Sequence, residues 1–195
     1  HYYAKKFFSP LLICADIQPE IINVYVVNDG ELIKKSKILI EMYDIKGILV
    51  FEEIVIMDIN ANSSTNVYSD KKDKILNGLN AKNVMLRTSI DVGGAIVSTN
   101  DYLFEKTKFL NMDVQNFNVN VEKADAGYNI DIESKSFLNR FYALCLNDSG
   151  VFSDNYFNML PGEKRRIQFI PSEKFNGSTK FDPLLEFNSV LGLCS

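Results

Sequence analysis

Glu52 and Glu53 are the adjacent carboxylates that first suggest acid–base chemistry, because a retaining glycosidase holds two carboxyl groups about 5–5.5 Å apart around one sugar. Their surroundings, Ile48 to Ile59, read as a strand, and neighbours on a strand project to opposite faces. The pair is therefore expected to be a bulge or a solvent-facing pair rather than a catalytic dyad. Asp154 is the second candidate, as an acid or a calcium ligand. Flanked closely only by Ser153 and Asn155, it reads as a loop carboxylate that accepts backbone amides. His1 is the single histidine and stands at the first position. That removes Ser-His-Asp and Cys-His arrangements and histidine-based metal sites from consideration. No Gly-x-Gly-x-x-Gly or Gly-x-x-x-x-Gly-Lys loop is present. The sequence thus nominates no catalytic, cofactor-binding or metal-ligating residue and no cofactor.

Cys14, Cys145 and Cys194 are an odd number without metal-like spacing, so no disulfide framework is expected. Cys14 and Cys145 lie in apolar, strand-like segments, where a free thiol behaves as a small hydrophobe. Asn62, Asn147 and Asn176 open Asn-x-Ser sequons, which matter only in a glycosylating compartment. The 195 residues carry a net charge of -4 with both signs interspersed, which argues against an electrostatic nucleic-acid footprint. The one basic run, Lys164-Arg165-Arg166, is expected to be a solvated strand edge whose charges discourage sheet-to-sheet pairing. No apolar run approaches the roughly 18 residues that span a bilayer. The opening His1 in place of Met suggests an excerpt or a processed product.

The segments around these residues are strands almost throughout. Ile22, Val24 and Val26 alternate with polar neighbours up to the Asn28-Asp29-Gly30 turn, and Ile38, Ile40 and Met42 form the apolar face of the next strand. Ile45-Lys46-Gly47 turns the chain into the β-branched run Ile48 to Ile59, expected to bend or bulge near Glu52-Glu53. Lys71 to Leu79 holds at most one or two helical turns, stopped by Asn77-Gly78. Val84, Leu86 and Ile90 resume the alternation, and Gly93-Gly94 reverses the chain into Ala95 to Thr99.

A boundary is expected near Glu105 to Asn111. Beyond it Phe117, Val119 and Val121 alternate with Asn116, Asn118, Asn120 and Glu122, answered by Tyr128, Ile130 and Ile132 across a hairpin with one wet face. Phe137 to Leu146, apolar on both parities, should be the central strand of a second sandwich. Phe152 to Phe169 follows as a polar loop, a short apolar segment, the Leu160-Pro161-Gly162 turn and an alternating strand. Ser172 to Lys180 is a polar loop, and Leu184 to Leu193 a last strand. The expected class is all-β, two tandem immunoglobulin-like antiparallel β-sandwich domains over 1–107 and 108–195.

The run Phe-Ser-Asp-Asn-Tyr-Phe at 152–157, followed by Leu-Pro-Gly-Glu at 160–163, resembles the last immunoglobulin-like domain of β-mannosidases in glycoside hydrolase family 2. Tyr3 to Ile13 resembles the segment that leaves the catalytic barrel in that family, Val24 to Asp29 the second strand of the next domain, and Ala61 to Ser64 a later loop. The resemblance implies a non-catalytic C-terminal region that supports a (β/α) barrel hydrolysing terminal β-D-mannose residues from β-mannosides. The family's acid/base glutamate follows an Asn, and no Asn-Glu dipeptide occurs here, so no catalytic residue is carried over. The implied partner is the catalytic barrel of the parent chain, with a homo-oligomer contact and a weak carbohydrate contact as further expectations, and neither nucleic acid nor a membrane span. The family implies a periplasmic or secreted setting in a bacterium and a lysosomal one in an animal. The alternative is a carbohydrate-binding or adhesion-type tandem module. Against sugar stacking, Trp is absent, and Tyr128 and Tyr142 fall in alternation that reads as core or half-buried.

Overall fold

The computed structural model describes residues 9–172, 174 and 181–190, which hold fourteen strands and one short α-helix. The chain divides into two compact units, with the change between Asn111 and Met112. Every paired strand in both is antiparallel. No helix among the described residues is long and apolar enough to cross a membrane.

The first unit has one sheet of β1 (Leu11–Ile17), β2 (Ile21–Asn28) and β5 (Ser63–Lys71), in that spatial order. Its second sheet holds β4 (Leu49–Ile59), β3 (Ile33–Asp44), β6 (Val84–Val92) and β7 (Ala95–Leu103), also in that order. Alternation dictates which side chains lie between the sheets: Ile22, Val24 and Val26 from β2 meet Ile38, Ile40 and Met42 from β3, all essentially inaccessible to water. The helix α1 (Lys72–Leu76) closes one end by burying Ile75, and Asn77 stops it in the left-handed region at φ 47°.

The expected bulge at Glu52-Glu53 is absent. Glu52 pairs in register with Glu41 and Glu53 with Ile40; the register slips instead between Met42–Phe51 and Tyr43–Leu49, leaving Val50 as the extra residue. The turn explains the position, since Asp44 and Gly47 close it tightly and the strands must recover their register in the first residues beyond it.

β1 pairs along one edge with β2. Side chains of β7 reach its other edge: Ile13 N–H donates to Ser98 Oγ at 3.2 Å, Asn100 Nδ2 donates to the Ile13 carbonyl at 3.3 Å, and Ala15 N–H donates to the Tyr102 hydroxyl at 2.7 Å. Three side chains thus do the work of a missing strand and tie the two sheets along one seam. Burial pushes the Tyr102 phenol up to about 12, so it remains a neutral hydroxyl at physiological pH.

The second unit has a four-stranded sheet in the order β11 (Val151–Phe152), β13 (Lys164–Ile170), β9 (Gly127–Ser134), β8 (Phe117–Ala124). Facing it are β12 (Phe157–Met159), β10 (Leu138–Cys145) and β14 (Leu185–Asn188), with β10 in the middle. Ile130, Ile132, Ile167 and Phe169 pack from the first sheet against Leu138, Phe141, Ala143 and Phe157 of the second. Phe141 is the hub, edge-on to Phe117 at 5.3 Å and tilted against Phe157 at 5.4 Å. Gly127 is required where β8 turns into β9: at φ 139° a Cβ there would lie 2.2 Å from the Phe169 carbonyl oxygen. The last strand expected over Leu184 to Leu193 is the four-residue β14, and residues 191–195 lie outside the described residues, as does most of the Ser172–Lys180 loop.

Tyr102→Phe removes the acceptor for Ala15 N–H while keeping the ring. The expected result is a loss of about 1–2 kcal/mol in urea unfolding. It should come with faster amide exchange at Ala15 than at Val24, its cross-strand partner.

Candidate functional site

The Phe152–Phe169 stretch is where the chain changes sheets. Phe152 ends β11, which pairs with β13, and Phe157 begins β12, which pairs with β10, so four residues cross the width of the sandwich. Phe152 and Phe157 are both buried and anchor the two ends of the crossing. Ser153 N–H donates to the Gln168 carbonyl at 2.8 Å, and Gln168 N–H donates back to Ser153 Oγ at 2.9 Å. The buried Asn155 amide bonds Ala143 twice, accepting its N–H at 2.8 Å and donating to its carbonyl at 2.9 Å. That is the pattern of a neighbouring strand, supplied by one side chain beside β10. Tyr156 then takes φ 59°, a region unfavourable for a bulky residue, and its ring stacks on Tyr142 with centroids 5.7 Å apart.

Asp154 accepts one backbone amide as expected, from Asn155 at 2.8 Å. Its other oxygen is paired with Arg165 Nη2 at 2.6 Å, and the Arg165 guanidinium lies 4.0 Å from the centroid of the Phe157 ring. Arg165 is therefore no solvated edge charge. Lys164 and Arg166 alternate away from it and face Glu133 at 3.5 Å and Asp131 at 2.6 Å. The basic run belongs to a strand that pairs with β9 along its length; Lys164 and Arg166 stand opposite Glu133 and Asp131, while Arg165 stands opposite Ile132 and pairs with Asp154 instead. The Leu160–Glu163 turn closes with Glu163 N–H donating to the Leu160 carbonyl at 3.1 Å, while Leu160 N–H donates to Glu163 Oε2 at 2.9 Å. Gly162 supplies the positive φ, 85°, of a type II turn.

Glu52 and Glu53 point to opposite faces of β4 and are both exposed. Among the described residues no group of three or more His, Cys, Asp or Glu is placed to hold a metal ion. Cys14 and Cys145 are free and half-buried, and burial, with a smaller contribution from Asp16, pushes the Cys14 thiol up. His1, Cys194 and Asn176 lie outside the described residues. Asn62 stands exposed at the β4–β5 turn with φ 47°. The Asn147 amide is engaged, accepting Leu184 N–H at 2.8 Å and donating to the Asp182 carbonyl at 2.9 Å. Tyr128 and Tyr142 are half-buried, as the alternation implied, and Tyr128 donates its hydroxyl proton to the Phe181 carbonyl at 2.7 Å.

Sequence reasoning missed Asn155 and Arg165. Nothing local marks an Asn as bonding a strand twelve residues upstream, or an Arg as pairing with an Asp eleven residues before it. Asp148, next to the Asn147 sequon, was missed too. It accepts from Ser172 N–H at 2.7 Å, Ser172 Oγ at 2.6 Å and Ser149 N–H at 2.8 Å. Burial pushes its carboxyl up, but these bonds and one from Gly150 N–H together hold it below the ordinary value.

With this geometry in hand, two family models match the chain: residues 20–108 match the mannosidase Ig/CBM-like domain, and residues 113–187 match an Ig-fold domain. The chain is a tandem of these two domains. The mannosidase-type resemblance carried by Val24 to Asp29 and by Phe152 to Phe169 falls within the matched ranges. A search of curated proteins returns no match. Among solved structures, the β-D-mannosidase of Dictyoglomus thermophilum superposes with a TM-score of 0.75 at 18% identity, over 97% of this chain and 23% of that one. The exo-chitosanase of Amycolatopsis orientalis superposes with a TM-score of 0.68 at 15% identity, over 96% of this chain and 26% of that one. The tandem domains thus span about a quarter of the length of these structures and share their fold there.

Asn155→Ala strips both buried Ala143 groups of their partners. The expected loss is about 2–5 kcal/mol, read as a lowered urea midpoint of the second sandwich, and Asn155→Asp fails to restore it because a carboxylate has no donor. Because the Asp148 carboxyl is held low, its contribution to stability is complete above the unfolded value near ~3.9 and disappears as pH falls through the folded value. Asp148→Asn should therefore lose stability less steeply than the parent protein between about pH 4 and pH 2; equal slopes would remove the linkage.

Proposed function

We propose that the tandem sandwiches are a non-catalytic region of a β-mannosidase-like enzyme of glycoside hydrolase family 2, supporting the barrel that hydrolyses terminal β-D-mannose residues from β-mannosides. The observation that carries this reading is the ordered pair of domain matches, 20–108 then 113–187, together with structural neighbours in which the equivalent region is about a quarter of the chain. The nearer of the two neighbours described is named a β-D-mannosidase.

An apolar strip on the first sandwich favours a packing role. Ile54 and Ile56 of β4 are 45% and 68% exposed and stand opposite Leu39 and Lys37 on β3, with Leu49 exposed at the start of the same strand and Ile48 exposed in the turn before it. Burying two such side chains is worth about 1.5–3 kcal/mol each, so another domain of the parent chain gains by covering them. A second copy is the other cover that would satisfy the same strip, and the two differ in whether association depends on protein concentration.

The purified 195-residue chain is expected to leave an aryl β-D-mannoside intact, and the longer parent chain to hydrolyse it. Replacing Ile54 and Ile56 by Ser should lower the melting temperature of the parent enzyme while leaving that of the isolated chain unchanged. Equal effects in the two proteins would show that the strip supports only its own sandwich, and turnover by the isolated chain that a point change within it abolishes would overturn the non-catalytic reading.

A further inference from the structure

The outward face of β8, β9 and β13 in the second sandwich holds a depression of about 520 Å³, within the size range of small-ligand sites. Its polar lining is Asn118, Asn120, Asp131, Glu133, Lys164, Arg165 and Arg166; Arg165 is paired with Asp154, and the other six alternate with it and its strand neighbours along the three strands. Strand register sorts these six into two ranks, Asn118–Glu133–Lys164 and Asn120–Asp131–Arg166, each crossing all three strands. Each rank holds one amide, one carboxylate and one cation, so the face is charge-balanced within each rank.

The groups are positioned but not saturated. Arg166 grips Asp131 through Nε at 2.7 Å and Nη2 at 2.6 Å, which uses two of the five guanidinium N–H groups and one lone pair on each carboxylate oxygen. That pair holds the Asp131 carboxyl below its ordinary value. Lys164 lies 3.5 Å from Glu133, and Asn118 donates to the same carboxylate at 3.4 Å. Asn120 donates to Glu122 at 2.9 Å, which leaves its second N–H and its carbonyl oxygen available within the depression.

We infer that this face binds a neutral, polyhydroxylated ligand, a carbohydrate chain lying across β8, β9 and β13. Spare donors and spare acceptors alternate along each rank, and a hydroxyl is the group that can use both at once. An anionic ligand is disfavoured because each cation already faces a carboxylate, and an apolar partner would strip water from four charges without repaying it. No aromatic side chain lines the depression, so ring stacking adds nothing and the binding is weak. The inference does not depend on the activity of the parent enzyme.

The test is amide chemical-shift mapping on the full 195-residue chain, titrated separately with β-1,4-linked mannotetraose and cellotetraose. The expected result is a saturable shift with at least one of the two, confined to the amides of 118–120, 131–133 and 164–166, with an affinity that is the same at low and high salt. The combined Asp131→Ala and Arg166→Ala change should weaken it about tenfold or more. Asn120→Ala, which touches no ion pair, should also weaken it, and it carries the test if the double variant does not fold. Absence of saturation with both sugars, shifts centred elsewhere, salt-sensitive binding, or unchanged affinity in the folded variants would each overturn the inference. So would a double variant that destabilises the intact parent enzyme while this chain binds neither sugar, since the face would then belong to another domain.

Discussion

The second sandwich depends on one amide satisfying two buried backbone groups. β12 is only three residues long, and the chain reaches it from the opposite sheet in four. At Ala143 this leaves part of β10 without a backbone neighbour from β12, and a bare N–H and carbonyl there would cost about 1–3 kcal/mol each. Asn is the shortest side chain that carries its donor and its acceptor on two separate atoms, so it can occupy this place where Asp, lacking the donor, cannot. The price is Tyr156 in the left-handed region, about 1–2 kcal/mol, offset by the ring's stacking on Tyr142 and by the anchoring of Phe152 and Phe157. Where β10 bulges at Asn139 and Arg140, a second amide acts in the same way: Arg140 N–H, at φ 51°, donates to Asn158 Oδ1 at 2.9 Å.

The first sandwich applies the same device along a seam. Ser98, Asn100 and Tyr102 alternate along β7 and together satisfy two N–H groups and one carbonyl on β1. Both units therefore close their sheets with polar side chains at places where backbone pairing runs out. A strand edge closed in this way offers no template to another chain, whereas β4, paired only with β3, relies on Glu52, Glu53 and Asp58 for that protection.

How legible this was in the sequence varied with the range of the interaction. Strict alternation at Phe117–Glu122 and Tyr128–Glu133 fixed both the hairpin and its wet face, because a period of two is a property of neighbouring residues. Asn77-Gly78 likewise announced the end of α1. The bulge was misplaced because two adjacent glutamates look like an interruption, whereas strand register is set by the turn at Asp44–Ile48, which pushes the extra residue to Val50. Arg165 was misread because its neighbours Lys164 and Arg166 are outward-facing, and its own alternate position placed it beside Asp154 and the Phe157 ring. The Phe-Ser-Asp-Asn-Tyr-Phe run marked the corner, but what each residue does there depends on β10 and β13, which no local pattern brings together.

The tandem fold recurs with TM-scores of 0.75 and 0.68 in enzymes named for different substrates, a β-D-mannosidase and an exo-chitosanase. At 18% and 15% identity, what persists is the arrangement of strands and corners, so inward positions such as Ile40 and Phe141 answer to the core and outward ones are left to other demands. Two outward surfaces of this chain are accordingly opposite in character. Ile54 and Ile56 present hydrocarbon that gains by being covered, while Asp131 and Arg166 present a charge-balanced polar face that gains by staying wet or meeting hydroxyl groups. A scaffold whose stability resides in its corners and core is free to carry both.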